Sequence, residues 1–455
     1  MKPAVLILVT LLICVKWSAA QSFKLLRFEE EYTHLKDSSR TFYNKLKFIP
    51  LSPIGNAYLS FGGEVRLELD RAENEDWGSR NLGRDIFLLQ RYSIHGDLQI
   101  NRRLRIFSQL RSGQESGRKN GPRPIDEDKL NIQNLFIDFY PYYGKKSKLL
   151  LRIGRQELQY GSGRLLDVRE GPNLRLYFDG AKAAFKTDKF NIDGFFLKSG
   201  GTNQGVFDNR IGSGGKIWGL YGTLSAPKLF NTDFYYLGID RKNGRFDEGN
   251  AAELRHTFGT RIWKNGVGLF YNFEGGFQSG RFGLKKIMAG GGSSEVGYKF
   301  VNLRGRPVVK LRGDLISGDR SKGDGRLGTF NPLFPNGGYF GMNPQAGPAN
   351  LISLHPSLAF NALAQVQVSV EVVFNWRHSV NDGIYRPDGS LNLPSLNVPD
   401  RYIGTTYLGS VAWKVNRFIN FNIGIQYFDT GNFINVAIPE HKNGFFTASM
   451  VSIKF

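Results

Sequence analysis

The 455-residue chain has a single cysteine, Cys14, and after residue 20 none at all. Disulfides and thiolate metal sites are therefore excluded from everything that follows residue 20. Nowhere does an apolar run approach the ~18 residues of a membrane-spanning helix. The six histidines (His34, His95, His256, His355, His378 and His441) have no metal-ligand spacing, and no G-x-S-x-G nucleophile motif occurs. No cofactor is implied, and enzymatic chemistry is not expected. Acid is also short relative to base: 60 Lys and Arg stand against 40 Asp and Glu, a formal charge of +20. For an exported chain this points away from nucleic acid and toward anionic partners: lipopolysaccharide, acidic polysaccharide or small anions.

What is present begins with a leader. A charged start, an apolar stretch over residues 4–15 and Ser18-Ala19-Ala20 read as a signal peptide spanning residues 1–20. A lipoprotein processed at Cys14 is the alternative, but Ile13 stands where a small residue should precede the modified cysteine. Residues 21–50 then read as a periplasmic N-terminal arm. Leu25, Leu26, Phe28, Tyr32 and Leu35 have roughly helical spacing, with Glu29, Glu30 and Glu31 on the polar side. A short helix under a barrel rim is expected here, with a plug entering the lumen as the alternative.

From residue 51 to 455 the pattern changes to period two. Leu59, Phe61, Val65, Leu67 and Leu69 alternate with Ser60, Glu64, Arg66 and Glu68. Val366, Val368, Val370, Val372, Phe374 and Trp376 alternate with Gln367, Ser369, Glu371, Asn375 and Arg377. The final residues repeat the pattern, with Ser449, Val451 and Ile453 opposite Ser452 and Lys454 before the terminal Phe455. Charges every second residue opposite an aliphatic row suit lipid outside and water inside. Short turns alternate with polar loops over 71–85, 113–129, 160–180, 200–215, 241–252, 318–350 and 379–401, the asymmetry of periplasmic turns and extracellular loops. The expectation is an all-β transmembrane antiparallel barrel of about 18 strands. An even count places both termini in the periplasm, with the last strand pairing to the first and offering a signal to the outer-membrane assembly machinery. A soluble propeller or sandwich also spaces strands regularly, but lacks one-sided polarity with charge on the inner row. A monomer is expected.

Alternation turns Arg66, Arg91, Arg105, Arg111, Arg152, Lys310, Arg312 and Arg377 inward, interspersed with Glu64, Glu68, Asp97, Asp138, Asp314 and Glu371. Two readings follow. A guanidinium can hold a passing carboxylate in a two-pronged contact and release it to a neighbour, giving anion selectivity. Alternatively these charges pair across the lumen and brace the wall. Arg164, Arg169 and Arg175, with Asp167, Glu170 and Asp179, lie in the 160–180 loop, which can fold inward as a constriction. The 318–350 loop carries Phe330, Phe334, Tyr339 and Phe340, suited to packing over the mouth or to stacking against sugar rings. Its acidic start, Asp319 to Gly325, has the look of a calcium loop without the terminal Glu, so a bound cation is an alternative there.

Leu151-Arg152-Ile153-Gly154-Arg155-Gln156-Glu157-Leu158, Tyr160-Gly161, Arg164-Leu165, Arg169, Pro172-Asn173 and Phe178-Asp179-Gly180 resemble the central signature of the alginate export family. Gly318-Asp319-Arg320, the 328–341 loop and Leu354-His355-Pro356-Ser357-Leu358 resemble its second signature, and Asp382-Gly383-Ile384-Tyr385 its C-terminal part. The resemblance implies an 18-stranded outer-membrane barrel that exports a polyuronate by diffusion along an arginine-rich lumen, with pore arginines at Arg66, Arg152, Arg155, Arg164, Arg169 and Arg175. Arg155 falls on the lipid-facing parity of its strand unless a bulge intervenes. Uptake of anions or oligosaccharides by a general porin is the alternative function.

Overall fold

The computed structural model describes residues 23–38, 41–79, 83–212, 214–226 and 229–455, so the expected signal peptide lies outside the described residues. Residues up to Glu31 form one unit and residues from Tyr32 onward another. In the first, the expected helix is reduced to a single 3-10 turn, Arg27–Glu29. Glu30 turns extended (φ −76°, ψ 143°), and its carboxylate binds Arg27 Nε at 2.9 Å and the Lys24 N–H at 3.0 Å. A side chain that satisfies local donors in this way competes with helix continuation.

The second unit begins with a 3-10 turn at Thr33–Leu35 and a six-residue helix, α1 (Phe42–Lys47), whose start is capped by Thr41 Oγ1 accepting from Asn44 N–H. Eighteen long strands follow. The first six are β1 (Tyr58–Glu73), β2 (Arg84–Gln99), β3 (Leu104–Ser116), β4 (Asp128–Tyr143), β5 (Ser147–Gln156) and β6 (Phe178–Thr187). Next come β7 (Phe190–Ser199), β8 (Lys216–Ala226), β9 (Phe230–Phe246), β10 (Gly249–Lys264), β11 (Gly268–Phe282) and β12 (Lys285–Lys299). The last six are β13 (Val308–Ile316), β14 (Leu351–Leu363), β15 (Val366–Arg377), β16 (Tyr402–Lys414), β17 (Ile419–Thr430) and β18 (Gly444–Lys454).

Each strand pairs antiparallel with the next, and β18 pairs with β1 from Lys454 opposite Glu64 to Phe445 opposite Glu73, closing the barrel. Closure satisfies every edge, which a sheet in lipid requires. The expected alternation holds on β1: Ser60, Glu64 and Arg66 are buried inside, while Leu69 is 52% exposed outside. On β15, Asn375 and Arg377 are buried and Val370 is exposed. Aromatic residues such as Trp413 and Phe421, with ring centroids 5.6 Å apart, sit on the outer face toward the short-turn rim.

The closing seam depends on one glycine. Phe455 continues the seam past β18 by exchanging both backbone hydrogen bonds with Gly63, at 2.9 and 3.1 Å. A Cβ at residue 63 would lie 2.6 Å from Phe455 Cζ and 2.6 Å from the Ser93 carbonyl oxygen. Gly63→Val should therefore overpack the seam and cost about 1–3 kcal/mol, read as a lower midpoint for heat-induced loss of the folded band in detergent gels. An unchanged midpoint would show that the seam tolerates the bulk.

One expected loop is not a loop. The polar stretch 241–252 belongs to a hairpin in which β9 runs to Phe246 and β10 starts at Gly249. Its polarity has two sources: an inward Arg241–Glu253–Arg255 ion-pair set and a register shift between Arg241 and Gly244. α1 also does more than lie under the rim. Lys47 is fully buried, its ammonium is 4.9 Å from the Tyr32 ring centroid, and any side chain at the inward position 62 would collide with it and with His95.

Candidate functional site

The 157–177 loop folds into the barrel because the inner wall binds its backbone. Arg66 donates to the Glu170 and Gly171 carbonyls, each at 2.8 Å. Arg91 donates to the carbonyls of Asn173 (2.9 Å) and Pro172 (2.6 Å) and to the Glu170 carboxylate (2.8 Å). Asn173, fully buried, donates from Nδ2 to the Gln90 and Asp126 carbonyls at 3.0 and 2.9 Å. Arg111 Nη1 reaches the Arg175 carbonyl at 3.2 Å. Three inward side chains from β1–β3 thus satisfy a segment that has no regular structure of its own, and Asn173 ties that segment back to the wall.

The 317–350 loop packs on the first. Asp167 N–H donates to the Phe334 carbonyl and Phe334 N–H to the Leu165 carbonyl, both at 2.9 Å. Phe330 and Phe340 are buried, and Phe334 meets Phe178 edge to face at 5.1 Å, so these aromatics pack rather than present open faces. They join inward Leu197, Ile217 and Leu237 in an apolar cluster on the long-loop side of the barrel interior. At these inward positions the wall is apolar, unlike the charged inner rows of β1 and β15. Nothing in a single strand distinguishes an inner wall against water from one against a folded-in loop.

Most of the expected pathway arginines are paired. Arg105 holds Asp97 with two bonds of 2.7 Å and lies 3.6 Å from Asp138. Arg152 holds Asp138 with bonds of 2.7 and 2.8 Å, its guanidinium 3.7 Å from the Phe136 ring centroid. Arg111 pairs with Asp128 at 2.6 Å, and Arg175 with Glu157 at 2.9 Å. Arg164 pairs with Asp314, which Arg312 approaches to 3.8 Å, and both guanidiniums lie within 5 Å of the Tyr339 ring centroid. Lys310 lies 3.6 Å from Glu295. Glu157 and Asn173 lie within the signature without being read as site residues, and Asp128 lies outside it; their partners reveal all three.

Three expected pathway residues are corrected. Arg155 and Asp179 face each other with contacts of 2.8 and 3.2 Å, in register with exposed Leu135, so they occupy the outer wall under the Tyr177 ring and not the lumen. The parity of Arg155 anticipated this, and no bulge rescues it. Arg377 points inward but is fully buried. It donates to the carbonyls of Val380, Val398 and Asp400 at 2.9, 2.5 and 2.5 Å, organising the 378–401 loop. Arg169 is the contrasting case. Among the described residues it enters no salt bridge. Its Nε donates to the Pro335 carbonyl at 3.2 Å, and its backbone is left-handed (φ +56°), a conformation costly for a non-glycine residue.

At the long-loop rim, the Asp319 carboxylate is engaged by backbone. Its carboxylate accepts from Gly328 N–H at 2.8 Å, and no His, Asp or Glu cluster among the described residues could bind a metal. Burial pushes this carboxyl up to about 6, helped by the Asp382 and Glu248 charges. An acid with a raised folded pKa favours the folded state while protonated and loses that contribution as pH rises from its ordinary 3.8 through about 6. The unfolding midpoint should therefore fall between pH 4 and pH 7 by more in the wild type than in Asp319→Asn. Equal slopes in the two proteins would remove Asp319 from the account.

The sequence pattern of the alginate export family matches residues 57–447. No curated protein matches the chain. Among solved structures it is similar to OccAB1 of Acinetobacter baumannii, with a TM-score of 0.60 and 11% identity over 90% of this chain and 99% of that one. OccD3 (OpdP) of Pseudomonas aeruginosa aligns with a TM-score of 0.59 and 10% identity, over 90% and 94% of the two chains. A BenF-like porin from Pseudomonas fluorescens Pf-5 does so with a TM-score of 0.59 and 9% identity, over 87% and 98%. These likenesses are of fold. The chain belongs to the alginate export family, an 18-stranded outer-membrane channel of the Gram-negative envelope.

Proposed function

We propose that this channel passes an anionic solute, and that the solute is an acidic polysaccharide such as alginate leaving the cell. The observation that carries the reading is the density of arginines that share carboxylates along the inner wall, each within reach of more than one partner set. Glu170 is shared by Arg91 (2.8 Å), Arg175 (3.3 Å) and Arg66 (3.9 Å), and Asp138 by Arg105 and Arg152. Arg66 Nε and Arg164 Nη2 have no acceptor. A uronate carboxylate offers the same two oxygens as the wall's own acids, so it can enter one of these sets by exchange and leave by exchange to the next. The mechanism is sequential weak contact without covalent chemistry.

Uptake of a smaller anion is the second reading, and the apolar packing on the long-loop side of the barrel interior favours it. Proteoliposomes loaded with labelled oligouronates and with neutral oligosaccharides of equal length test the proposal. Oligouronates should leave at least about tenfold faster, the scale on which focused charge raises encounter rates. Equal rates would reject anion transport. Rapid passage of monomeric uronate with retention of longer oligomers would favour the small-anion reading.

A further inference from the structure

The chain's positive charge is not concentrated where the channel reading alone would place it. Inside, nearly every arginine has a carboxylate partner. The nine long-loop connections, two of which fold into the barrel, together carry fourteen Lys and Arg against sixteen Asp and Glu. The eight short turns carry nine Lys and Arg against one acid, Asp188. Short turns mark the periplasmic rim of such a barrel.

Six of these nine basic residues also form an arc. Around the rim, the β16–β17, β2–β3, β4–β5 and β6–β7 turns contribute Arg417, Arg102 with Arg103, Lys145 with Lys146, and Lys189. All but half-buried Arg417 are exposed, and none of them forms a salt bridge among the described residues. The other three lie elsewhere, Lys228 after β8 and exposed Arg304 with Arg306 between β12 and β13, while the turns after β10 and β14 offer apolar Val267 and Leu363 at or beside their tips. The arc therefore lies over β2–β5, the same strands whose inner faces carry Arg105 and Arg152.

We propose that this arc captures the carboxylates of an acidic polysaccharide at the periplasmic mouth, making that mouth the loading side. The proposal rests on the reading of the barrel as an anionic-polymer channel. Unpaired charges on one rim raise the local concentration of a polyanion and its association rate, and the effect is screened within about 10 Å at 0.1 M salt. Anionic lipid is the competing occupant of any basic rim. In this membrane, however, the phosphate-rich lipopolysaccharide lies in the outer leaflet, against the long loops whose charges nearly balance.

The test is current block in planar bilayers holding channels of one known orientation, with oligouronates added to one side at a time. Block from the short-turn side should begin about tenfold more often than from the long-loop side at low salt, and the difference should shrink toward 1 M salt. The variant Arg102→Gln, Arg103→Gln, Lys145→Gln, Lys146→Gln should lose this asymmetry, and Arg320→Gln with Arg326→Gln at the other rim should keep it. Equal block from both sides overturns the capture arc while leaving the channel reading standing. Absence of block from either side overturns the channel reading itself. If the four-residue variant keeps the asymmetry but loses its preference for anionic over neutral lipid vesicles, the arc serves lipid and the proposal fails.

Discussion

Replacing Arg66 and Arg91 together by alanine is expected to raise single-channel conductance several-fold. The two guanidiniums make six hydrogen bonds of 2.6–3.1 Å to the 157–177 loop, five of them to backbone carbonyls that have no helix or sheet to return to. Hydrogen bonds involving a charged group are worth about 1.5–3 kcal/mol each, so this is the firmest attachment of the loop to the wall. Without them Glu170 keeps Arg175 alone, at 3.3 Å. The loop should leave the lumen on the time scale of recording, giving larger and noisier open levels. Arg91→Lys should recover only part of the closure, because an ammonium cannot bridge backbone carbonyls and a carboxylate with a planar fork. Unchanged conductance in the double variant would mean that packing against Phe334 and its neighbours, rather than the arginines, retains the loop.

The second large effect separates bracing from transport. Arg152→Gln should lower the unfolding midpoint sharply. It leaves Asp138, which is wholly buried, to Arg105 at 3.6 Å alone, and breaking a buried pair costs about 3–5 kcal/mol. Its effect on the reversal potential in a salt gradient should be small, since the charge removed was already matched. Arg169→Gln should do the opposite. It breaks no ion pair, so stability should hold, while the one unmatched guanidinium of the inward loop disappears and anion preference falls. If Arg152→Gln shifts the reversal potential and Arg169→Gln does not, the balance of charge at Arg152 sets the selectivity and Arg169 has no part in it.

These contrasts trace how far the sequence could be read. The period-two rows of β1 and β15, the closing strand and the count of about 18 were legible because lipid on one side imposes a rule on every second residue. The inward-folding 160–180 loop was legible from its density of paired charges. The hairpin at 241–252 was not, because strands with polar inner rows look like loops until their register is known. Nor was the pairing of Arg152 with Asp138 or Arg111 with Asp128, since the partner depends on cross-strand register rather than on spacing along the chain. Arg155 shows both sides: its outward parity could be read, yet the family signature that contains it pointed inward.

The account's central claim is that an arginine-rich, carboxylate-balanced wall admits an acidic polymer by exchange. It is tested most directly by single-channel recordings with oligouronates and their carboxyl-reduced, neutral counterparts of the same length. The account predicts block whose residence time lengthens with the number of uronate units and disappears on carboxyl reduction. Equal block by both, or none by either, would contradict it.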